Sequence, residues 1–302
     1  MPDTMPALSL VAVPGRRRLT LDVARQAERR GFAGLYVPSI FGNMAQSTAL
    51  ALATERILFG TAIAPIYART VEDFAHGAAY IHEVSGGRFR FGIGVAHAPS
   101  HLRMGVTVGR PLGDIRAFVA KYQSYTDIGA LPPIILAALR QRMVALAGEI
   151  ADGVIFANAS RSHMGQSLSA LPPEKRADPD FLIANMIPTC ISDDVAAARA
   201  VCRRTLVRYT MLPNYRNYWK EAGYTEEMAA IESALAGGRG DDVPGLMSDR
   251  WLADATLFGS ATAVRDGVAA WREAGITTPV LVPSSVQGNQ LKAIEEIFAA
   301  FA

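Results

Sequence analysis

Short apolar runs alternate with amphipathic stretches along most of the chain. The runs are apolar on both faces, as expected of parallel strands that helices cover on both sides. Between them, apolar positions recur at helical spacing, and the stretch 70–84 begins with a capping box that predicts a helix. The apolar runs predict eight strands, at residues 7–13, 34–39, 57–63, 89–95, 133–138, 153–157, 181–190 and 278–283.

The strand count and the chain length together indicate the α/β class. The 302 residues divide into units of about 38, which suits a (β/α)8 TIM barrel as one domain over residues 1–302. The alternative is a doubly wound open sheet. Segment 210–254 has helical stretches at 215–222 and 225–236 but no strand, which predicts a helical insertion before the last strand. The insertion is either a lid or pocket wall at the active-site face, or a pair of helices packed on the outside of the barrel or on a second subunit.

Composition and charge argue against several classes of protein. Half of the residues are hydrophobic and only 19% are charged, so the chain can bury a large core. A net charge of +2 without a long basic run gives no sign of nucleic-acid binding. No apolar run is long enough to predict a membrane span. Two cysteines fit no metal or disulfide spacing, which favours a cytoplasmic location.

A glycine-rich segment follows the helix predicted at 70–84. It enters a strand and continues through Gly92-x-Gly94 to His97. A dinucleotide fingerprint needs a third glycine at position 97, so that motif is incomplete. The glycines allow either a flat ring or a neighbouring strand to approach the backbone, and tight strand packing is at least as good an explanation for Gly92.

The segment 131–143 predicts a phosphate site. A strand of small residues leads into a helix whose first turn carries Arg140 and Arg142. A helix N-terminus beside arginines suits a phosphate group, although two surface arginines would produce the same pattern. His97 and His101 lie four residues apart, but Pro99 between them and the lack of nearby acidic residues disfavour a metal, and none is expected. The motifs of serine hydrolases and P-loop NTPases are absent.

Several segments, taken in order, resemble the luciferase-like flavin- or deazaflavin-dependent oxidoreductases. The resemblance covers nearly the whole chain, and it depends on the order and spacing of the segments. They are Ala-Arg-Gln-Ala-Glu-Arg-Arg-Gly-Phe at 24–32, Glu-Arg-Ile-Leu-Phe-Gly-Thr-Ala at 55–62, Ser-Gly-Gly-Arg-Phe at 85–89 with Gly-Ile-Gly at 92–94, Leu-Ala-Gly-Glu-Ile-Ala-Asp-Gly at 146–153, Leu-Phe-Gly-Ser at 257–260 and Trp-Arg-Glu-Ala-Gly-Ile at 271–276.

The resemblance implies a bacterial luciferase-like barrel with the cofactor ring over the C-terminal ends of the strands. It implies a non-prolyl cis peptide at Ala62–Ile63, pressed against the ring. Residues 94–97 would line the ring, residues 137–140 together with Arg142 would hold the phosphate, and the end of the sixth strand would lie nearby. The implied cofactor-binding residues are Ala62, Ile63, Gly94, Val95, Ala96, His97, Ala137, Ala138, Leu139, Arg140, Arg142, Ala157 and Asn158.

The cofactor suggested by the resemblance is coenzyme F420, with FMN as the alternative. The patterns Gly-x-Gly-Val-x-His at 92–97 and Leu-x-x-Arg-Met at 139–143 are those of the subgroup thought to use the deazaflavin. Some deazaflavin dehydrogenases of the family have a histidine after the second strand and an acidic residue after the fourth. Here residues 37–41 contain no histidine and His97 replaces the acid, so sugar-phosphate oxidation is not expected.

The expected reaction is hydride transfer between coenzyme F420 and a small organic substrate. His97 is the candidate catalytic residue, as a proton donor or as a hydrogen-bonding group for the cofactor. Ile40, Phe41, Ile66 and Tyr67 predict an apolar pocket and an apolar or carbonyl substrate. The alternatives are an FMN-dependent monooxygenase and a non-catalytic flavin- or deazaflavin-binding barrel. A small molecule and a second copy in a homodimer are the expected partners, with no nucleic acid or membrane.

Overall fold

The computed structural model describes residues 5–38 and 41–302, in which strands and helices alternate. The strand pairs with a defined register are all parallel. The strands are β1 Ala7–Ser9, β2 Gly34–Val37, β3 Leu58–Pro65, β4 Phe89–Gly94, β5 Ile134–Ala137, β6 Gly153–Ala157, β7 Leu182–Ile191, β8 Leu257–Gly259 and β9 Thr278–Ser284.

Helices connect the strands, and the longest connection lies between β7 and β8. Two short 3-10 helices lie at Arg161–His163 and Gly240–Leu246. The α-helices are α1 Arg17–Arg29, α2 Asn43–Ala53, α3 Val71–Val84, α4 Ala98–Met104, α5 Pro111–Gln123, α6 Gln141–Ile150, α7 Met164–Leu168, α8 Pro173–Ala177, α9 Val195–Thr210, α10 Pro213–Glu221, α11 Thr225–Ala236, α12 Asp249–Ala255, α13 Ala261–Glu273 and α14 Gln290–Ala300.

This alternation of parallel strands with helices is the (β/α)8 barrel fold that the sequence predicts. Each of the eight predicted strands is present. The described residues contain one more strand, β8, whose three residues pair with Thr189, Cys190 and Ile191 of β7. The predicted insertion is also helical, since it holds α10, α11 and α12, but it precedes β8 and not the last strand, β9. None of the helices in the described residues is both long enough and apolar enough to cross a membrane.

The chain divides into two compact units. Unit 1 contains the described residues up to Ile155 together with 170–184, and unit 2 contains 156–169 together with 185–302. In unit 1 the strands are neighbours in the order β6-β5-β4-β3-β2-β1, and in unit 2 the order is β9-β7-β8. The expectation of one domain over residues 1–302 stays a prediction.

Polar residues at the ends of elements explain two of the sequence motifs. The Thr70 hydroxyl caps α3 by accepting a hydrogen bond from Asp73 N at 3.1 Å, as the capping box predicts. Arg88, which ends the Ser-Gly-Gly-Arg segment, donates to the carbonyls of Ala51, Thr54, Ile57 and Ser85. Its guanidinium therefore joins the end of α2, the start of β3 and the end of α3, which is a structural role.

Candidate active site

An irregularity in β3 lies where the sequence predicts a special backbone. Thr61 pairs with Phe91 while Ala64 pairs with Ile93, so β3 has one residue more than β4 between these pairs. The bulge falls at Ala62–Ile63. No peptide bond in the described residues is cis, so the predicted cis bond at Ala62–Ile63 is wrong. The extra residue of the bulge is the irregularity that the structure has at this position.

Gly92 faces the bulge across the sheet. A Cβ atom at this position would lie 1.9 Å from Thr61 O and 2.6 Å from Ala62 O. The Thr61 hydroxyl also donates to Gly92 O at 2.7 Å. Of the two explanations for this glycine, the structure supports the close approach of a neighbouring strand.

Gly94 has a different environment at the C-terminal end of β4. A Cβ atom there would lie 2.9 Å from Ile63 Cγ2 and 3.1 Å from Ala137 Cβ. Ile63 and Ala137 are half-buried. The ends of β3, β4 and β5 therefore meet in a small apolar surface, which these three residues form and which we call the floor.

The backbone changes direction immediately after the floor. Val95 and Ala96 are half-buried, and Ala96 has a φ of +59°. The left-handed conformation costs a non-glycine residue about 1–2 kcal/mol. His97 follows in extended conformation as the N-cap residue of α4, and it is half-buried. Burial, with a smaller contribution from His101, lowers the pKa of His97 below its ordinary value.

The predicted phosphate residues follow β5 in unit 1. Ala138 is buried and Leu139 is half-buried, whereas Arg140 and Arg142 are exposed. Arg140 is the N-cap residue of α6 and its side chain makes no capping hydrogen bond. A helix N-terminus carries partial positive charge, and exposed guanidinium groups beside it add full charges. The arrangement suits an anion next to the floor.

The residues predicted for the substrate pocket have different environments. Ile66 is buried, and its N–H donates to Gly94 O at 3.0 Å, which places it beside the floor. Tyr67 is half-buried, and its hydroxyl donates to Asp114 Oδ2 at 2.5 Å. Phe41 is 64% exposed, and the Arg103 guanidinium lies 4.9 Å from its ring centroid. Ile40 lies outside the described residues.

The two remaining cofactor candidates belong to unit 2. Ala157 ends β6 half-buried, and Asn158 is buried with a φ of +55°. The insertion contacts this turn, because Trp219 Nε1 donates to Asn158 O at 3.2 Å and Ser160 N donates to the Tyr218 hydroxyl at 3.1 Å. Helix α10 therefore packs on the segment that follows β6.

Several hydrogen bonds near the floor could not be predicted from the sequence. Asn43 Nδ2 donates to Ile63 O at 3.4 Å. His101, considered in the sequence only as a metal ligand, has its Nε2 atom 2.6 Å from Val95 O. Asp114 accepts from the Tyr67 hydroxyl, 47 positions away in the chain. The partners of Asn43 and Asp114 lie 20 and 47 positions away in the chain, and such distant partners leave no local pattern in the sequence.

Three half-buried histidines predict how the free energy of unfolding depends on pH. Burial lowers the pKa of His82, His97 and His163 below 6.5. The unfolded chain therefore takes up protons at a higher pH than the folded protein. The free energy of unfolding is unaffected by these histidines above pH 6.5. It should decrease as the pH falls below that value. Urea unfolding at pH values between about 7.5 and 5 measures this decrease. In His97→Gln the decrease over the same pH range should be smaller. An unchanged slope in that variant would contradict the lowered pKa of His97.

A family model described as luciferase-like monooxygenase matches residues 9–126 and 118–278, which together span most of the chain. The chain belongs to this family. A protein of Mycobacterium tuberculosis named as a coenzyme F420-dependent oxidoreductase is 26% identical, over 88% of this chain and 91% of its own length. The family is one of oxidoreductases, and the chain is an enzyme of that family.

Solved structures show the same fold. The coenzyme F420-dependent tetrahydromethanopterin reductase of Methanopyrus kandleri superposes with a TM-score of 0.78, at 19% identity over 99% of this chain and 100% of its own. A type II Baeyer–Villiger monooxygenase component from Pseudomonas putida, in complex with FMN, gives a TM-score of 0.63 at 14% identity, over 99% of this chain and 96% of its own. Both support the barrel fold of this family.

Proposed function

We propose that the protein transfers hydride between coenzyme F420 and a small organic substrate. The observation that carries this proposal is the floor in unit 1, where Ile63, Gly94 and Ala137 form an apolar surface beside the N-terminus of α6. The choice of the deazaflavin over FMN rests on the Mycobacterium tuberculosis relative and on the two motifs at 92–97 and 139–143.

The residues present fit such a cofactor. A flat ring needs an apolar surface without projecting side chains, and any Cβ at position 94 would crowd Ile63 and Ala137. A phosphate group needs donors and positive charge, which the start of α6 supplies through Arg140 and Arg142. The remaining implied residues of unit 1, Ala62, Val95, Ala96, Ala138 and Leu139, contribute short or apolar side chains near strand ends. For Ala157 and Asn158, which belong to unit 2, cofactor binding stays a prediction.

His97 is the residue we assign to the reaction itself. When bound, the deazaflavin supplies a carrier of two electrons as hydride. Burial lowers the pKa of His97, which favours the neutral form of its imidazole. A neutral imidazole donates an N–H hydrogen bond, which would stabilise negative charge that develops on a substrate oxygen. We therefore favour hydrogen-bond donation over full proton transfer for His97.

The substrate class proposed is apolar or carbonyl-containing. Ile66 beside the floor is apolar, and the Tyr67 hydroxyl is already engaged by Asp114, so neither adds a free charge. Reduced coenzyme F420 should be oxidised by some enones or ketones, followed as the return of absorbance of the oxidised cofactor. His97→Gln should slow this turnover while cofactor affinity changes little. Tight binding without turnover of any substrate would favour a non-catalytic cofactor-binding barrel.

An FMN-dependent monooxygenase is the second candidate. Its support is the family description and the FMN-bound Pseudomonas putida structure with the same fold. The floor and the phosphate residues would suit FMN as well, since both cofactors carry a flat ring and a phosphate. This candidate predicts a yellow protein that retains FMN on purification and consumes oxygen when a flavin reductase is supplied.

A further inference from the structure

The turn after β4 is held by a side chain from the helix that follows it. Helix α4 starts after His97, whose carbonyl accepts from Ser100 N at 2.8 Å and from His101 N at 3.0 Å. The His101 side chain then folds back, and its Nε2 atom lies 2.6 Å from Val95 O. A carbonyl oxygen only accepts, so Nε2 carries the hydrogen. Residues 95–101 are therefore closed by backbone and side-chain hydrogen bonds.

This closure surrounds the left-handed residue. Val95 and His97, whose carbonyls accept these hydrogen bonds, are the immediate neighbours of Ala96 in the chain. With a φ of +59°, Ala96 has a backbone conformation that alanine adopts only when its surroundings impose it. The hydrogen bond from His101 to Val95 O supplies such a constraint from outside the turn itself.

His101 is itself oriented by a second pair of residues. The rings of Tyr67 and His101 meet edge to face, with centroids 5.5 Å apart and an interplanar angle of 86°. The Tyr67 hydroxyl donates to Asp114 Oδ2 at 2.5 Å, and the same oxygen accepts from Gly109 N at 2.9 Å. Burial and then this carboxylate raise the pKa of Tyr67, so its hydroxyl stays protonated and continues to donate. A continuous set of contacts thus leads from α5 to the end of β4.

We infer that His101 is a positioning residue for the proposed site. By holding Val95 O, it keeps Ala96 in the left-handed conformation. That conformation sets the backbone between the floor and His97, and hence the direction of the His97 side chain. The inference rests on the proposed function, because it gives the held turn the task of presenting residues 94–97 to the cofactor ring.

Two substitutions of His101 separate positioning from general stability. His101→Gln keeps an amide N–H that can donate to Val95 O, whereas His101→Leu removes the donor. His101→Leu should bind coenzyme F420 at least about tenfold more weakly, the effect of losing one well-formed hydrogen bond, and His101→Gln should bind within about threefold of the parent protein. Fluorescence titration of purified protein measures both.

A double variant tests whether the effect is only structural. Glycine adopts the left-handed conformation without strain, so adding Ala96→Gly to His101→Leu should raise the Tm again. The affinity for coenzyme F420 should stay low, because the turn is still not held. Recovery of both Tm and affinity, or an affinity of His101→Leu within about twofold of the parent, would overturn the inference.

A readout without cofactor distinguishes failure of this inference from failure of the proposed function. In protein labelled on alanine, the carbon and amide chemical shifts of Ala96 report its backbone conformation. They should change in His101→Leu and stay close to the parent values in His101→Gln. Unchanged shifts in His101→Leu would refute the positioning role, whether or not coenzyme F420 binds. Changed shifts in His101→Leu, together with a parent protein that does not bind the cofactor, would refute the proposed function alone.

Discussion

Replacing Gly92 with alanine is expected to destabilise the protein by at least about 3 kcal/mol. The added Cβ would lie 1.9 Å from Thr61 O and 2.6 Å from Ala62 O, and these are backbone atoms of the adjacent strand. To remove this steric clash, β3 would have to move away from β4. That movement would disturb the hydrogen bonds between the two strands and the bulge at Ala62–Ile63. Urea unfolding of parent and variant, followed by far-ultraviolet circular dichroism, measures the loss.

Gly165→Ala is the matched control. Gly165 lies in α7, is exposed, and a Cβ there would have no atom within 4 Å. Alanine favours helix over glycine, so this variant should be as stable as the parent or up to about 1 kcal/mol more stable. If Gly92→Ala were as stable as the control, the close approach of β3 and β4 at this point would be incorrect.

The second large effect concerns cofactor affinity. The double variant Arg140→Ala, Arg142→Ala should bind coenzyme F420 at least about tenfold more weakly, because it removes two charged donors beside the N-terminus of α6. Both side chains are exposed, so the double variant should lose no more than about 1 kcal/mol of stability, and urea unfolding measures this. Fluorescence titration at fixed ionic strength gives the two dissociation constants.

A charge-matched variant shows whether the effect is local. Arg29→Ala, Arg176→Ala also removes two exposed arginines of unit 1, from the last turns of α1 and α8. It changes the net charge equally, so it should bind coenzyme F420 within about twofold of the parent. Equal weakening in the two double variants would mean that overall charge, and not a phosphate site at α6, attracts the cofactor.

The elements that sequence reasoning predicted are those with a strong repeated pattern. The runs that became β4, β6 and β7 are mostly apolar and mostly buried, as parallel strands beneath helices require. The strand that was missed, β8, has only three residues, and its pairing with the end of β7 leaves no periodic signal. The register of strands follows from distant partners, so no local rule predicts it.

In the candidate site, too, local features could be predicted from the sequence, whereas features that depend on distant partners could not. Gly94, Ala137 and Arg140 could be proposed as site residues because strand ends and helix starts have recognisable sequence signals. The bulge at Ala62–Ile63 could not, because it depends on how β3 pairs with β4. The resemblance to the family suggested a cis bond there, and the structure has a trans bond within a bulge.

The partner of His101 could not be predicted from the sequence either. The spacing from His97 raises only the question of a metal pair, which Pro99 disfavours, whereas the partner of His101 in the structure is the carbonyl of Val95. The homodimer and the cytoplasmic location expected from the sequence stay predictions.

Equilibrium titration of the purified apoprotein with coenzyme F420 and with FMN, read by fluorescence quenching, tests the central claim most directly. As the motifs at 92–97 and 139–143 predict, the protein should bind coenzyme F420 with a dissociation constant at least about tenfold below that for FMN, a difference of about 1.4 kcal/mol. Tighter binding of FMN, or no binding of coenzyme F420, would contradict the proposed function.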